Sequence, residues 1–397
     1  MTADKISSKS RIEVADEELH KVFHVSKKEV AFAVALLAFY IITLLFLSTN
    51  VILLIIAGMS FSLWLTFRAS HWAIDGLETL GIYAGISAYT IGVLSSLASN
   101  TPEAVISALT AMRGLATAQM KLVEIAVLSV VMAAGFNILL LGFVVVVAAR
   151  KEGLLKVPAE VIKDDADLIR WTIVAMALLF ALGLLHYIAA IESGTPFESI
   201  PFPAIAGLMM VISYIIYAAY SISKKAPRSS EIAQPHRGKR TSVILAIIGF
   251  IGIFIAGYIL TDAIERIFLH IPFDAYGIVG DQQIAIMAMI IGAAGAVPEH
   301  GIALIAAAKD KAGIAIGNTL GGTTQVLLLI VGGVSLALFP FGGLPLKAEV
   351  LLQFATAAGS LWFLKRAMTD DQRVDIFEGV MILLMQAFVF VLILTPI

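Results

Sequence analysis

The chain has 397 residues, 59% of them hydrophobic and only 14% charged, with a formal net charge of −2. Soluble domains carry about 25% charged residues, so this composition excludes an ordinary soluble protein and points to an integral membrane protein. Its apolar runs are long and continuous rather than alternating, which makes it all-α and not a β-barrel. The absence of cysteine excludes disulfides, thiolate metal sites and thiol catalysis.

In chain order, residues 1–28 are a tail of mixed charge leading into a full-length apolar span at 29–48, expected to stay as a helix rather than be cleaved. His20 and His24 sit four apart in that tail and are read as solvated side chains. A span needs about 20 apolar residues. On that measure further spans are expected at 51–67, 79–112, 119–149, 171–191, 203–222, 242–268, 281–308, 313–339, 347–364 and 377–395, giving 11 in all. Pro102 and Pro298 each lack a backbone donor and are expected to break the spans they occupy.

Alternating these spans from the N-terminus puts 23 of the 27 Lys and Arg residues on one side, among them Arg68, Arg150 and Arg240. The other side receives Arg113, Lys121, Arg266 and Lys347. The positive-inside rule makes the basic side cytoplasmic, with the N-terminus on it and the cell membrane as the expected location. Residues 223–241 form a basic linker that divides the spans. Without the first helix, two five-helix repeats remain, 51–222 and 242–397, predicted to lie in opposite orientations.

The chemistry concentrates in two matching places. Ser99-Asn100-Thr101-Pro102-Glu103 lies in the first repeat and Gly295-Ala296-Val297-Pro298-Glu299-His300 in the second. An acid at the centre of a bilayer costs about 2.5–3.5 kcal/mol, so a matched pair reads as a divided ion site. Ser99, Asn100 and Thr101 add side-chain oxygens in the first half, and the next helix offers Ser129 and Asn137. In the second half the partner helix offers Asn318, Thr323, Thr324 and Gln325. Two carboxylates balance one Ca²⁺, whose six to eight oxygen ligands come from acids, amides, hydroxyls and opened carbonyls. Protons compete for the same oxygens, which suffices for exchange. Asp262, Glu265 and Arg266 read as an ion-pair cluster near the outer end of their span, and Lys121 with Glu124 as a snorkelling pair.

Both segments resemble the α-repeats of the calcium/cation antiporter superfamily. Pro102-Glu103 with Ser107 is similar to the sodium/calcium exchanger style. Glu299-His300, the Lys309-Asp310-Lys311 turn and Gly317 through Thr324-Gln325 are similar to the proton/calcium exchanger style. The resemblance implies Glu103 and Glu299 as the Ca²⁺-binding acids, and Asn137 and Gln325 as partner-helix ligands or gates. It also implies an antiporter that exchanges Ca²⁺ for H⁺ by alternating access, with Na⁺ as the competing counter-ion and a cation channel as a further alternative. Ser and Thr oxygens of the family pattern are replaced here by Ala296 and Gly295, which favours H⁺ over Na⁺. No Gly-x-Ser-x-Gly or His-Glu-x-x-His motif occurs, so no enzyme activity is expected. No cofactor is expected either; the partners are inorganic cations and lipid, not nucleic acid.

Overall fold

A computed structural model describes residues 26–85, 96–150, 153–157, 159–195, 199–223, 237–278, 280–308 and 312–395, with some side chains inside these ranges, including those of 297–302, left undescribed. The tail with His20 and His24, most of the basic linker and the Lys309-Asp310-Lys311 turn lie outside the described residues, as do the side chains of Pro298, Glu299 and His300.

The described chain is almost wholly helical. Its elements are α1 (Lys27–Phe46), α2 (Val51–Tyr83), α3 (Thr101–Ala116), α4 (Met120–Ala149), β1 (Leu154–Lys156), α5 (Ala159–Ser193), β2 (Ile200–Pro201) and α6 (Ala204–Ser223). They continue with α7 (Lys239–His270), α8 (Asp281–Ala308), α9 (Ala312–Gln325), a π-helical stretch (Val326–Ile330), α10 (Val331–Leu338), β3 (Pro345–Leu346), α11 (Ala348–Asp371), β4 (Arg373–Asp375) and α12 (Ile376–Leu394). Because α9, the π stretch and α10 follow one another directly, they form a single rod. Among the described residues seven helices are long and apolar enough to cross a membrane, and two shorter apolar ones accompany them.

Two expectations fail on helix continuity. No loop separates a span at 51–67 from one at 79–112, because α2 runs unbroken for 33 residues to Tyr83. Arg68 is accommodated within it by Glu29 at 3.4 Å and by the Trp72 ring at 5.8 Å, so its charge forces no exit from the helix. Pro298 does not break its helix either, since α8 is one element from Asp281 to Ala308. Proline is tolerated inside membrane helices when neighbouring groups satisfy the freed carbonyl. Pro102 behaves as expected: the helical turn at 96–99 ends at Asn100, and Pro102 stands in the first turn of α3, where its missing donor costs nothing.

The packing relates the two halves by inversion. The first helices of each, α2 and α7, lie along one another. A β-carbon on Gly58 would meet Ala263, one on Gly249 would lie 2.4 Å from the Ala73 amide, and one on Gly76 would lie 2.6 Å from the Ser242 carbonyl. Rising numbers on α2 thus meet falling numbers on α7, so the pair is antiparallel. Glycine and alanine are required along this seam because the backbones touch. The strands repeat the relation. β1, after the third helix of the first half, pairs with β4, before the last helix of the second. β3, after the third helix of the second half, pairs with β2, before the last helix of the first. Because α11 joins β3 to β4, these two clasps lie at opposite ends of the bundle.

The core centres on α4, which packs against α3, α8 and α12. Behind it Gln353 and Gln386 exchange two hydrogen bonds of 3.2 and 3.1 Å, both side chains fully buried. A β-carbon at Gly135 would lie 2.7 Å from the Gln386 amide nitrogen, so glycine makes room for this pair.

Candidate functional site

Glu103 is 2% exposed and lies in the first turn of α3. Its neighbour across the helix crossing is Gly295 of α8: a β-carbon there would lie 2.4 Å from Glu103 Cγ. The oxygen that the resemblance leads one to expect at 295 is therefore missing for a steric reason. Any side chain at that position would displace the acid.

One turn earlier on α8, Gly292 sits against the backbone of Ser129 and Ala133 on α4. At one end of these two helices Lys347 bridges Glu124 and Asp281, and at the other Arg150 donates to the Ala308 carbonyl. The helices therefore run parallel. Carrying the register on by about two turns sets position 299 level with Asn137. Position 299 is also one turn, about 6 Å of rise, beyond Gly295 and hence beyond the contact with Glu103.

Asn137 is fully buried, and among the described residues neither atom of its amide has a hydrogen-bond partner. Leaving a buried polar group unsatisfied costs about 1–3 kcal/mol, and two such atoms on one side chain require an explanation. Asn318, 6% exposed, also has a buried amide nitrogen without a partner.

The first half is knitted to α9 instead. Gln325 Oε1 accepts from Ser96 Oγ at 3.0 Å and from Asn100 Nδ2 at 3.1 Å, all three residues being buried. Asn100 Oδ1 remains without a partner. Ser99, Thr101, Thr323 and Thr324 donate to carbonyls of their own helices at 2.8–3.0 Å, on Ser96, Leu97, Thr319 and Leu320 respectively. The Thr101, Thr323 and Thr324 oxygens keep lone pairs that can accept or ligate. The π stretch begins directly after Gln325, and such insertions often mark functional positions. Nothing in the sequence signals it.

Beyond the Asn100–Gln325 contact, α3 and the α9–α10 rod separate around a cavity of about 310 Å³. Asn100, Thr101 and Gln325 close its inner end, and Ala108, Val334 and Ala337 line its outer reach. The matching pair in inverted relation, α4 and α8, is closed by the Gly292 crossing. The cavity thus parts the helices on one flank of the site, while on the other α4 and α8 touch at Gly292.

The charged cluster near the C-terminal end of α7 is present and larger than expected. Arg266 pairs with Asp262 at 2.7 Å, while Arg113 of α3 bonds Asp262 at 3.1 Å and also contacts Glu265. The expected Lys121–Glu124 pair does not form: Glu124 is held by Lys347 at 2.9 Å, and Lys121 lies over the Phe268 ring. Lys121 sits three positions before Glu124 on α4, whereas Lys347 approaches from the other half of the chain.

Solved structures resemble this fold over most of its length. An H⁺/Ca²⁺ exchanger, CAX, superposes with a TM-score of 0.67 at 14% identity, covering 93% of this chain and 92% of its own. Native YfkE gives 0.62 at 15% identity, with 91% and 98% covered. The sodium-calcium exchanger NCX_Mj gives 0.56 at 18%, with 85% and 98% covered. No curated protein matches. The family model for the sodium/calcium exchanger protein matches residues 50–223 and 241–395, two segments meeting at the basic linker. A match over so much of the chain, on a fold of paired inverted halves, identifies it as a member of the sodium/calcium exchanger protein family.

Proposed function

We propose that this chain is a secondary antiporter that moves Ca²⁺ in exchange for H⁺ by alternating access, with Glu103 and Glu299 as the ion-binding acids. The observation that carries the reading is a buried carboxylate and an orphaned amide set beside successive turns of α8. Glu103 abuts α8 one turn before position 299, and Asn137 stands level with that position with both amide atoms unmatched. A cation bridging the two helices would take the Asn137 oxygen as a ligand and compensate its burial. Two acids neutralise a divalent ion, and the same acids release it when they take up protons. Asn100, Gln325 and the hydroxyls of Thr323 and Thr324 complete the supply of oxygens or gate access to them.

Proton coupling is favoured over Na⁺ because positions 295 and 296 carry no oxygen and position 295 cannot. Two inverted repeats, 51–222 and 242–397, would rock about this midplane site, in a cell membrane with the N-terminus cytoplasmic. The test is ⁴⁵Ca²⁺ flux in proteoliposomes. A pH gradient imposed without Na⁺ is expected to drive Ca²⁺ movement. Na⁺-driven flux at clamped pH, with no proton movement, would instead make it a Na⁺/Ca²⁺ exchanger, and flux independent of either gradient would make it a channel.

A further inference from the structure

Helix α3 has two unlike faces. Asn100, Thr101, Ala104 and Ala108 line the apolar cavity. Glu103, Ser107, Thr110 and Arg113 follow one another at intervals of four, three and three residues, which keeps them on another face. That second face carries a ladder of buried hydroxyl pairs. Ser107 Oγ lies 3.0 Å from Ser129 Oγ of α4, and Thr110 Oγ1 lies 3.2 Å from Thr261 Oγ1 of α7. All four side chains are at most 3% exposed. The ladder ends at the Arg113–Asp262–Glu265 cluster, where Arg266 and the Tyr40 hydroxyl also face Asp262. From Glu103 to Arg113 the helix rises about 15 Å, half the hydrocarbon thickness of a bilayer.

A structural role alone explains such a ladder poorly. Single hydroxyls in membrane helices are satisfied by their own carbonyls one turn back, as Thr101, Thr319 and Thr323 are here. Ser107 and Thr110 instead reach to other helices at successive turns, in line between buried Glu103 and the cluster of half-buried Asp262 and buried Glu265. A hydroxyl both donates and accepts, so it can take a proton on one lone pair while releasing its own along the next bond. A Ca²⁺ ion cannot follow: the pairs are closed at hydrogen-bond distance among packed helices, and the ion requires six or more oxygens.

We propose that the Ser107–Ser129 and Thr110–Thr261 pairs form a proton route between Glu103 and the Asp262–Glu265 cluster, separate from the path taken by the metal. Each transfer breaks one O–H bond and makes another, so one proton enters at the acidic cluster for each delivered to Glu103. Transfer across the gaps between successive turns requires a water molecule to enter at each during turnover, and the hydroxyls rotate back afterwards. This rests on the proton-coupled reading above, and the experiment separates the two.

The full-length protein is reconstituted as wild type, Thr110→Val, Thr261→Val and the double variant. Each is assayed for pH-driven ⁴⁵Ca²⁺ uptake and for Ca²⁺/Ca²⁺ exchange at equal pH, which needs no proton transfer. Valine keeps the shape of threonine and removes the relay. Proton-driven uptake is expected to fall roughly tenfold or more in the double variant, Ca²⁺/Ca²⁺ exchange is expected to persist, and Thr110→Ser is expected to restore coupling. Equal loss of both activities, or undiminished proton-driven uptake, overturns the route while leaving the antiporter intact. Wild type that exchanges Ca²⁺ for Ca²⁺ but ignores a pH gradient overturns the proton-coupled reading and the route with it.

Discussion

The two Pro-Glu segments share their proline and acid and reach different structures. In the first, Asn100 ends one helical turn, Pro102 opens α3, and the Asn100 amide donates to Gln325 across the bundle. In the second, the residue two before the proline is Ala296, which has no amide to offer. The partner-helix amide there, Asn137, is correspondingly left without a bond. Packing differs in the same sense: α8 is pressed onto α4 at Gly292, whereas α3 and the α9–α10 rod part around the cavity. A transporter built from inverted repeats need not hold both repeats in one conformation at one time. Access from a single side requires that they differ. At the first Pro-Glu segment the amide bond runs between the halves to Gln325, whereas at the second the partner-helix amide, Asn137, has no such bond among the described residues.

The largest effect expected from breaking this comparison comes from the acids themselves. Glu103→Gln and Glu299→Gln each keep the size of the side chain and remove one charge and one proton-binding group. Transport is expected to drop to background in both, measured as ⁴⁵Ca²⁺ flux with insertion checked separately. If only Glu103→Gln were silent, the site would belong to the first half alone and the paired-acid reading would be wrong.

Glycine substitutions sharpen the contrast between the touching and parted flanks. Gly295→Ala forces a methyl into Glu103, so flux should fall roughly tenfold or more through displacement of the acid. Gly321→Ala places its methyl 3.7 Å from Ser96 Oγ, an ordinary contact, and should express and unfold like wild type. Should Gly295→Ala transport normally, Glu103 does not work from the position in which it is packed. The steric argument also means that adding Thr at 295 would cost activity rather than create Na⁺ sensitivity.

The site was legible in the sequence where function and cost coincide. Glu103 and the clustered oxygens of Ser99 to Thr101 betray themselves because polar groups in an apolar span demand a reason. The all-helical membrane class was likewise readable from hydropathy. Continuity was not. Arg68 reads as a boundary until Glu29 and Trp72 are seen to satisfy it, and those partners come from folding rather than from local sequence. Pro298 reads as a break because the rule for proline was made for helices without neighbours. The role of Gly295 was hidden too, since a missing oxygen and a required close approach are written with the same residue. Nor does any local pattern announce the π stretch after Gln325 or the charge partners of Glu124.

Asn137→Ala divides stability from function. The amide has no partner among the described residues, so its removal relieves a penalty of about 1–3 kcal/mol and leaves a small void. The apo protein should therefore unfold no more easily than wild type. Apparent Ca²⁺ affinity should fall about tenfold, which corresponds to roughly 1.4 kcal/mol. A loss of apo stability with unchanged affinity would make Asn137 a packing residue and remove its amide from the comparison.

The smallest effect is expected at one end of the α4–α8 flank, where Lys347 donates to Glu124 at 2.9 Å and to Asp281 at 3.1 Å and so ties the start of α11 to α4 and α8. The lysine side chain is 27% exposed and that of Asp281 67%, so solvent screens both pairs. Exposed pairs contribute about 0.2–1 kcal/mol each. Lys347→Met keeps the apolar stem that covers neighbouring surface and removes only the charge. A loss of about 1 kcal/mol or less should be seen in denaturant unfolding at low salt, shrinking as the Debye length shortens toward about 3 Å at 1 M salt. The α4–α8 crossing itself rests on backbone contact at Gly292, so Ca²⁺ flux should stay close to wild type. If instead Lys347→Met reduced flux as strongly as Gly295→Ala, the α4–α8 flank would be held together by its charges rather than by its glycine. The asymmetry between the halves would then be electrostatic and sensitive to salt, not steric.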